Sequence, residues 1–488
     1  MDQALTQNAT RTFWKSSYAK HSLFALESIT QEFDNNFVKF GQKNTCTVQR
    51  QGDLLSWMYV RFDVPAIQAV DRDETFSNQR SYDTGTAVDK ISADLEPVLD
   101  LLPDGYTEAS IPKKAYLMHK ATNEYHGRMH GTAPLPPGDA DAQSGKTTFS
   151  DSSYCYWTEA LGFYLCEEVD LEIGGAIVDS LWSELLFAME ELMGRAGRRL
   201  TETVGRTLRS PVQLMKASRS PQVLYVPLPW YFTRHPSLAF PLVAASYHQM
   251  KIKIKAPTLS SCIIKSSSSV DVYNFNTGNK IGMDNSHNDV GISLECTYVH
   301  LEAAERDALT GNASTQLIIG HQRQEFNGPS ITGTGSTERT VDLNFNFPII
   351  ELYFMFRRSS NQLLADHFNF SGLMGKDPIS EASLLFNNTP RVTTKPAIWW
   401  RCVQALQFHS SVPLSHVYSY SFSLAPEDPV TPSGSANFSR LDSVKLKYRL
   451  QSDAFRAQAD QNSHLLVFAR SYNILKFSNG LCGLLYSN

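Results

Sequence analysis

Short stretches of strict alternation, cut by turn signals, constrain this chain more than any other feature. In Val444–Leu450, the residues Val444, Leu446, Tyr448 and Leu450 alternate with Lys445, Lys447 and Arg449. A period of two sends one set to a buried face and the other to water, the mark of a half-buried strand. Trp57–Val64 repeats the pattern. Met58, Val60, Phe62 and Val64 oppose Trp57, Tyr59, Arg61 and Asp63, and Pro65 stops the run. Met250–Lys255 carries Lys at every second position. Val169–Ile173 alternates up to Gly174-Gly175, a tight hairpin signal. Gly162–Cys166 also reads as a strand. In the second half the strand candidates are Gln316–Ile319, Val341–Phe347, Ile349–Phe356, Ala382–Phe386, Val403–Phe408, Tyr418–Leu424, Val444–Leu450, His464–Ala469 and Ile474–Phe477. About eight or nine strands per half, joined by uneven loops, predict an all-β chain of two tandem β-sandwiches or jelly rolls.

One clear helix is expected, Asp179–Met193. Asp179 or Ser180 can cap it, and Leu181, Trp182, Leu185, Met189 and Leu192 form a stripe at helical spacing. A chain of 488 residues is long enough for two to four domains and a large core. The polar stretch 68–152 breaks the strand rhythm and reads as a functional loop or surface insertion. Residues 1–27 read as an N-terminal arm. The domains expected are then 28–302, with the insertion, a linker at 303–312, and 313–488. The apolar tail Gly480–Tyr486 is expected to be buried.

Several function classes fall away on composition. A net charge of −5 argues against a general nucleic-acid binder. Seven scattered Cys without a CxxC spacing look like reduced thiols rather than a disulfide framework. No secretory signal precedes the first strand, and no apolar run is long enough to span a bilayer. The sequons at Asn8, Asn312, Asn369, Asn387 and Asn437 therefore carry little weight.

Motifs for chemistry fail on their own requirements. Ser144-Gly145-Lys146-Thr147 ends like a phosphate-binding loop, but the first glycine of that motif is replaced by Ala140. Gly333-Thr334-Gly335 lacks the third glycine and the βαβ setting of a dinucleotide site. His126 and His130 are four apart near Glu124, but Gly127 and Gly131 oppose the helix that would join them on a metal. His409 and His416 flank a loop and read as hydrogen-bonding residues. The basic run Arg195, Arg198, Arg199, Arg206, Arg209, Lys216 and Arg219 has no interleaved aromatics for base stacking and reads as a solvated loop or inter-subunit surface. Catalytic, cofactor-binding and metal-ligating residues are thus expected to be none.

Several phrases, in order, resemble one family. They are Thr12-Phe13-Trp14, His21–Ile29, Arg50-Gln51-Gly52-Asp53-Leu54-Leu55, Tyr59–Phe62, Glu168–Gly175 with Trp182–Leu185, Val226–Arg234, Ala239–Ala244, Tyr247–Ile252, and Ser433–Asp442. Together they resemble the major capsid protein of nucleocytoplasmic large DNA viruses, of the iridovirus and phycodnavirus type. That resemblance implies a double jelly roll, two tandem eight-stranded jelly rolls with long loop insertions. It also implies a homotrimeric capsomer of pseudo-hexagonal outline in an icosahedral virion, made in the host cytoplasm. Its implied partners are further copies of itself, neighbouring capsomers, minor capsid and penton proteins, and an internal viral membrane. No enzyme activity, cofactor or direct nucleic-acid contact is implied. Arg440, in the last phrase, is expected to reach a neighbouring chain or a backbone carbonyl. The alternative readings are a carbohydrate-binding β-sandwich protein, with exposed Tyr and Trp stacking on sugars, and an enzyme on a jelly-roll scaffold.

Overall fold

A computed structural model describes residues 21–71, 154–194, 200, 202–205, 211–265, 270–274, 280–282, 289–311, 313–328, 338–363, 365–455, 460 and 462–486. The phosphate-loop-like segment, His126, His130, Gly333-Thr334-Gly335, most of the arm and insertion, and most of the basic run lie outside these residues.

Alternation in the sequence becomes alternation in burial. The main strands of the first half are β1 (Phe24–Phe37), β2 (Lys43–Val48), β3 (Leu54–Val64), β4 (Glu168–Ile173), β5 (Ala176–Trp182), β6 (Gln222–Pro227), β7 (Met250–Lys255) and β8 (Gly291–Leu301). They form two antiparallel sheets, β1–β8–β3–β6 and β2–β7–β4–β5. Along β7, Met250, Ile252 and Ile254 are buried, while Lys253 and Lys255 lean out to Glu172 and Glu167.

The second half repeats the design with β9 (Ser314–Asn327), β10 (Glu338–Asp342), β11 (Pro348–Arg357), β12 (Ile379–Phe386), β13 (Thr389–Pro396), β14 (Tyr418–Ser421), β15 (Val444–Leu450) and β16 (His464–Ser478). Its sheets run β9–β16–β11–β14 and β10–β15–β12–β13. Counted within its own half, each sandwich has the order 1-8-3-6 against 2-7-4-5. That is a jelly roll, built twice.

Antiparallel pairing throughout makes the connections exit alternately at two ends. At one end the linkers are residues 49–53, 174–175 and 228–249 in the first half, and 343–347, 387–388 and 422–443 in the second. Both series are five, two and 22 residues long. The chain leaves β3 and β5 at the opposite end, where the sequence before β4 and β6 is much longer. The 22-residue connections also match in detail. Phe240–Pro241 returns to pair with Leu54 and Leu55 at the start of β3. Ala436–Asn437 returns to pair with Pro348 and Ile349 at the start of β11.

Several expectations are corrected. The helix, α1, spans Ser183–Met193, and Leu181 and Trp182 belong to β5. Neither Asp179 nor Ser180 caps it, because the Asp179 carboxylate is spent on the second sandwich. Val403–Phe408 is helical: a π-helix, Trp399–Val403, runs into an α-helix, Gln404–Phe408. Its Gln, Ala and Leu are good helix formers. Leu161–Leu165 is likewise a short helix. In the C-terminal tail, Leu481–Leu484 is an edge strand on β16, so Cys482 is buried and Leu484 packs partly against the core. Leu481, Leu485 and Tyr486 are about half exposed. A second helix, α2 (Ala303–Gly311), joins the two sandwiches.

The larger core is not confined to one sandwich. It gathers Leu185, Ala188 and Leu192 of α1 together with Ile318, Tyr353, Met355, Leu466 and Phe468 of the second half. A separate core, with Leu352, Phe354, Trp400, Leu446 and Tyr448, fills the second sandwich. This explains why β11 is buried on both faces from Ile349 to Phe356: one face meets each core.

Candidate functional site

The residues that hold the two sandwiches together are the most elaborated part of the molecule. Asp179 on β5 accepts hydrogen bonds from the His321 amide at 2.8 Å and lies 2.9 Å from His321 Nδ1. Both side chains are about 2% exposed or less. Glu184, in the first turn of α1, meets Arg357 at 2.7 Å, and Arg357 also reaches Glu325 at 3.0 Å. At the other end of α1, Glu191 accepts the amides of Leu414 and Ser415. Between them Phe187 stacks on Phe368, with ring centres 4.8 Å apart. Tyr164 stacks on His367 at 3.7 Å. Burial holds the His367 imidazole below its ordinary pKa, against the pull of the Ser261 carbonyl that it contacts.

A buried charge network sits beside this junction. Arg470 and Tyr353 both donate to Glu351, and Arg470 also donates to the Pro426 carbonyl. His409 bridges towards Glu351 and Glu427, at 3.5 and 3.3 Å. Arg234 of the first half donates to the Glu427 carbonyl. Burial, and then the neighbouring Arg470 charge, lower the Arg234 pKa to about 10. This cluster is enclosed by protein and ties segments together. Among the described residues no group of three or more His, Cys, Asp or Glu could hold a metal ion.

Two motifs at the short-linker end act as clasps. Arg50 donates to the carbonyls of Ala245, Ser246 and His248, so it staples the five-residue linker to the 22-residue one. Gly52 is required there, because a Cβ would lie 2.8 Å from the Tyr298 Cβ. Asp53 accepts from the Leu301 amide at 2.7 Å and pairs with Arg306 of α2 at 2.8 Å. Burial alone would raise its pKa, but the hydrogen bonds from Arg306 and Leu301 hold it below the usual carboxylate range.

In the second half, Asn437 caps the turn by accepting from the Ser439 amide, and Ser439 Oγ accepts the Phe347 amide. Phe438 is buried against Phe386 and Phe422. Arg440 is exposed. The carbonyls of Phe347 and Phe438 that close this turn are reached by the amides of Phe438 and Leu441 instead.

The first half matches the family model described as the major capsid protein N-terminus, over residues 12–89 and 139–302. Residues 305–483 match the model for the large eukaryotic DNA virus major capsid protein. The chain belongs to the major capsid protein family of large eukaryotic DNA viruses. Among its relatives, the major capsid protein of Phaeocystis pouchetii virus is 24% identical over 602 residues, covering 100% of this chain and 97% of that one. That of Pyramimonas orientalis virus is 25% identical over 512 residues, covering 100% and 96%. The fold agrees with a chain of the PBCV-1 virus capsid, with a TM-score of 0.67 at 20% identity over 98% of this chain and 100% of that one. It agrees with the Faustovirus major capsid protein at 0.62 and 12% identity, over 96% and 93%.

This capsid protein is a structural component of the virion and not an enzyme. The phrases that carried the resemblance include the clasps, the β4–β5 hairpin and the start of α1, and Thr12-Phe13-Trp14 lies outside the described residues. Sequence reasoning missed the junction, since nothing near Asp179 or His321 in the chain announces a pair 142 residues apart. The seven cysteines are free, and burial pushes Cys46, Cys155 and Cys482 up to about 12. Of the sequons, Asn369 is 3% exposed, so its side chain is closed to a glycan in the folded chain.

Proposed function

We propose that this capsid protein works as a homotrimer, a capsomer of pseudo-hexagonal outline in an icosahedral shell. The observation that carries this is the internal repeat. Each chain holds two sandwiches of one strand order, with matched linkers at one end. Three chains then supply six equivalent sandwiches, which suits a site of hexagonal surroundings although the symmetry is only three-fold. The division into an arm at 1–27, sandwiches at 28–302 and 313–488, and a linker at 303–312 belongs to this reading. The end at which the chain leaves β3 and β5 would carry the outer relief. The short-linker end would face inward, where the arm meets minor capsid and penton proteins or an internal membrane. Neighbouring capsomers are the lateral partners, and Arg440 would contact one of them. Sedimentation or native mass measurement tests the reading: a particle of three times 54.7 kDa is expected. A chain that stays monomeric at micromolar concentration refutes it.

A further inference from the structure

Because the two sandwiches share one strand order, every contact surface on one has a counterpart on the other. Within the chain, the first sandwich offers β5, which β9 receives, and α1, which meets Arg357 at the end of β11 and the amides of Leu414 and Ser415. The counterpart of the offering surface is β13 with the helical turns from Ala397 to Phe408. The counterpart of the β9 part of the receiving surface is β1. Among the described residues, neither is covered within the chain.

The match can be made residue by residue. α1 begins at Ser183, directly after β5, and the helical turns begin at Ala397, directly after β13. Ile398 then stands where Glu184 does, and Leu406 where Leu192 does. Glu184 and Leu192 are 7% and 0% exposed, whereas Ile398 and Leu406 are 57% and 75% exposed. On the receiving side, β3 and β11 each carry one extra residue against their neighbour, at Leu55–Met58 and Ile349–Glu351. Counting from that shared bulge makes Ile29 the equivalent of Gln322, and so Leu26 the equivalent of Ile319. Ile319 is 3% exposed, but Leu26 is 54% exposed, with Phe24 beside it at 55%. The same positions are covered in one sandwich and open and apolar in the other. A strand meant for water would not carry them. Charge agrees as well: β1 adds Glu27, Glu32 and Asp34, and β13 adds Arg391 and Lys395.

We infer that β13 and the Trp399–Phe408 turns of one copy dock on β1 of a second copy, repeating between chains the contact that joins the two sandwiches within a chain. This rests on the trimer reading and names its interface. The contact is head-to-tail, so each copy uses both surfaces and three copies close the ring.

A photo-crosslinking amino acid at Leu26, in assembled protein mixed from isotopically light and heavy copies, tests the docking. Irradiation should join Leu26 of one copy to peptides from residues 389–408 of another. A trimer whose adducts map elsewhere overturns the docking and leaves the trimer standing. A monomer without inter-chain adducts overturns both. In parallel, Ile398→Glu combined with Leu406→Glu should lower the trimer fraction more than tenfold. Leu424→Glu, at a site 82% exposed but outside both surfaces, should leave it unchanged. Equal trimer fractions for the two variants would count against the docking.

Discussion

A single buried carboxylate, Asp179, shows how much of this molecule rests on individual polar groups. It satisfies the His321 amide, the His321 ring and the Ser180 amide at once. Asp179→Ala leaves those donors buried and unanswered, and should cost about 3 kcal/mol in a denaturant titration. Asp179→Asn, which keeps an acceptor, should cost less. His367 makes a prediction about acid. Its folded pKa is depressed by burial, so the unfolded chain takes up the proton first. The resulting stabilisation is full above the unfolded value near 6.5 and is lost as pH falls through the lower folded value. The melting temperature should therefore drop between pH 7 and 5. His367→Phe, which keeps the stack on Tyr164, should flatten that slope. An unchanged slope would show that the imidazole does not titrate at the junction.

At the scale of elements, the same turn is built from two different residue pairs. Gly174-Gly175 and Asn387-Asn388 both join the fourth and fifth strands of their sandwich, and all four residues have φ between +50° and +88°. Glycine and asparagine are the residues that tolerate this region. The Gly pair is legible as a hairpin in the sequence, and the Asn pair is not, because Asn is common in loops of every kind. The two glycines also differ. A Cβ on Gly174 would sit 2.5 Å from His248 Nδ1, whereas one on Gly175 meets nothing within 4 Å. Gly175→Ala should cost about 1 kcal/mol, from backbone strain alone. Gly174→Ala should cost more, by chemical denaturation, because the ring that also contacts the Cys482 carbonyl must move. The helical turns from Trp399 to Phe408 teach a complementary lesson. Six residues are too few to separate a strand from a helix, and the choice was made by Trp400 and Gln404 packing inward four residues apart.

For the whole molecule, a core that runs across both sandwiches implies one cooperative unit. Calorimetry should give a single transition with matching calorimetric and van't Hoff enthalpies. Two resolved transitions would mean that the shared core around α1 contributes little. By itself, the sequence determined the all-β class, most strands, the two-part organisation and, through its ordered phrases, the family. Those properties are local, since alternation and turn chemistry act within a few residues. Only the tertiary structure decided the rest: the repeated strand order, the equal linkers, the Asp179–His321 junction, and the open apolar positions Leu26, Ile398 and Leu406. These depend on which distant segments meet. A leucine on a half-buried strand looks the same in sequence whether its face is covered by its own chain or left for another.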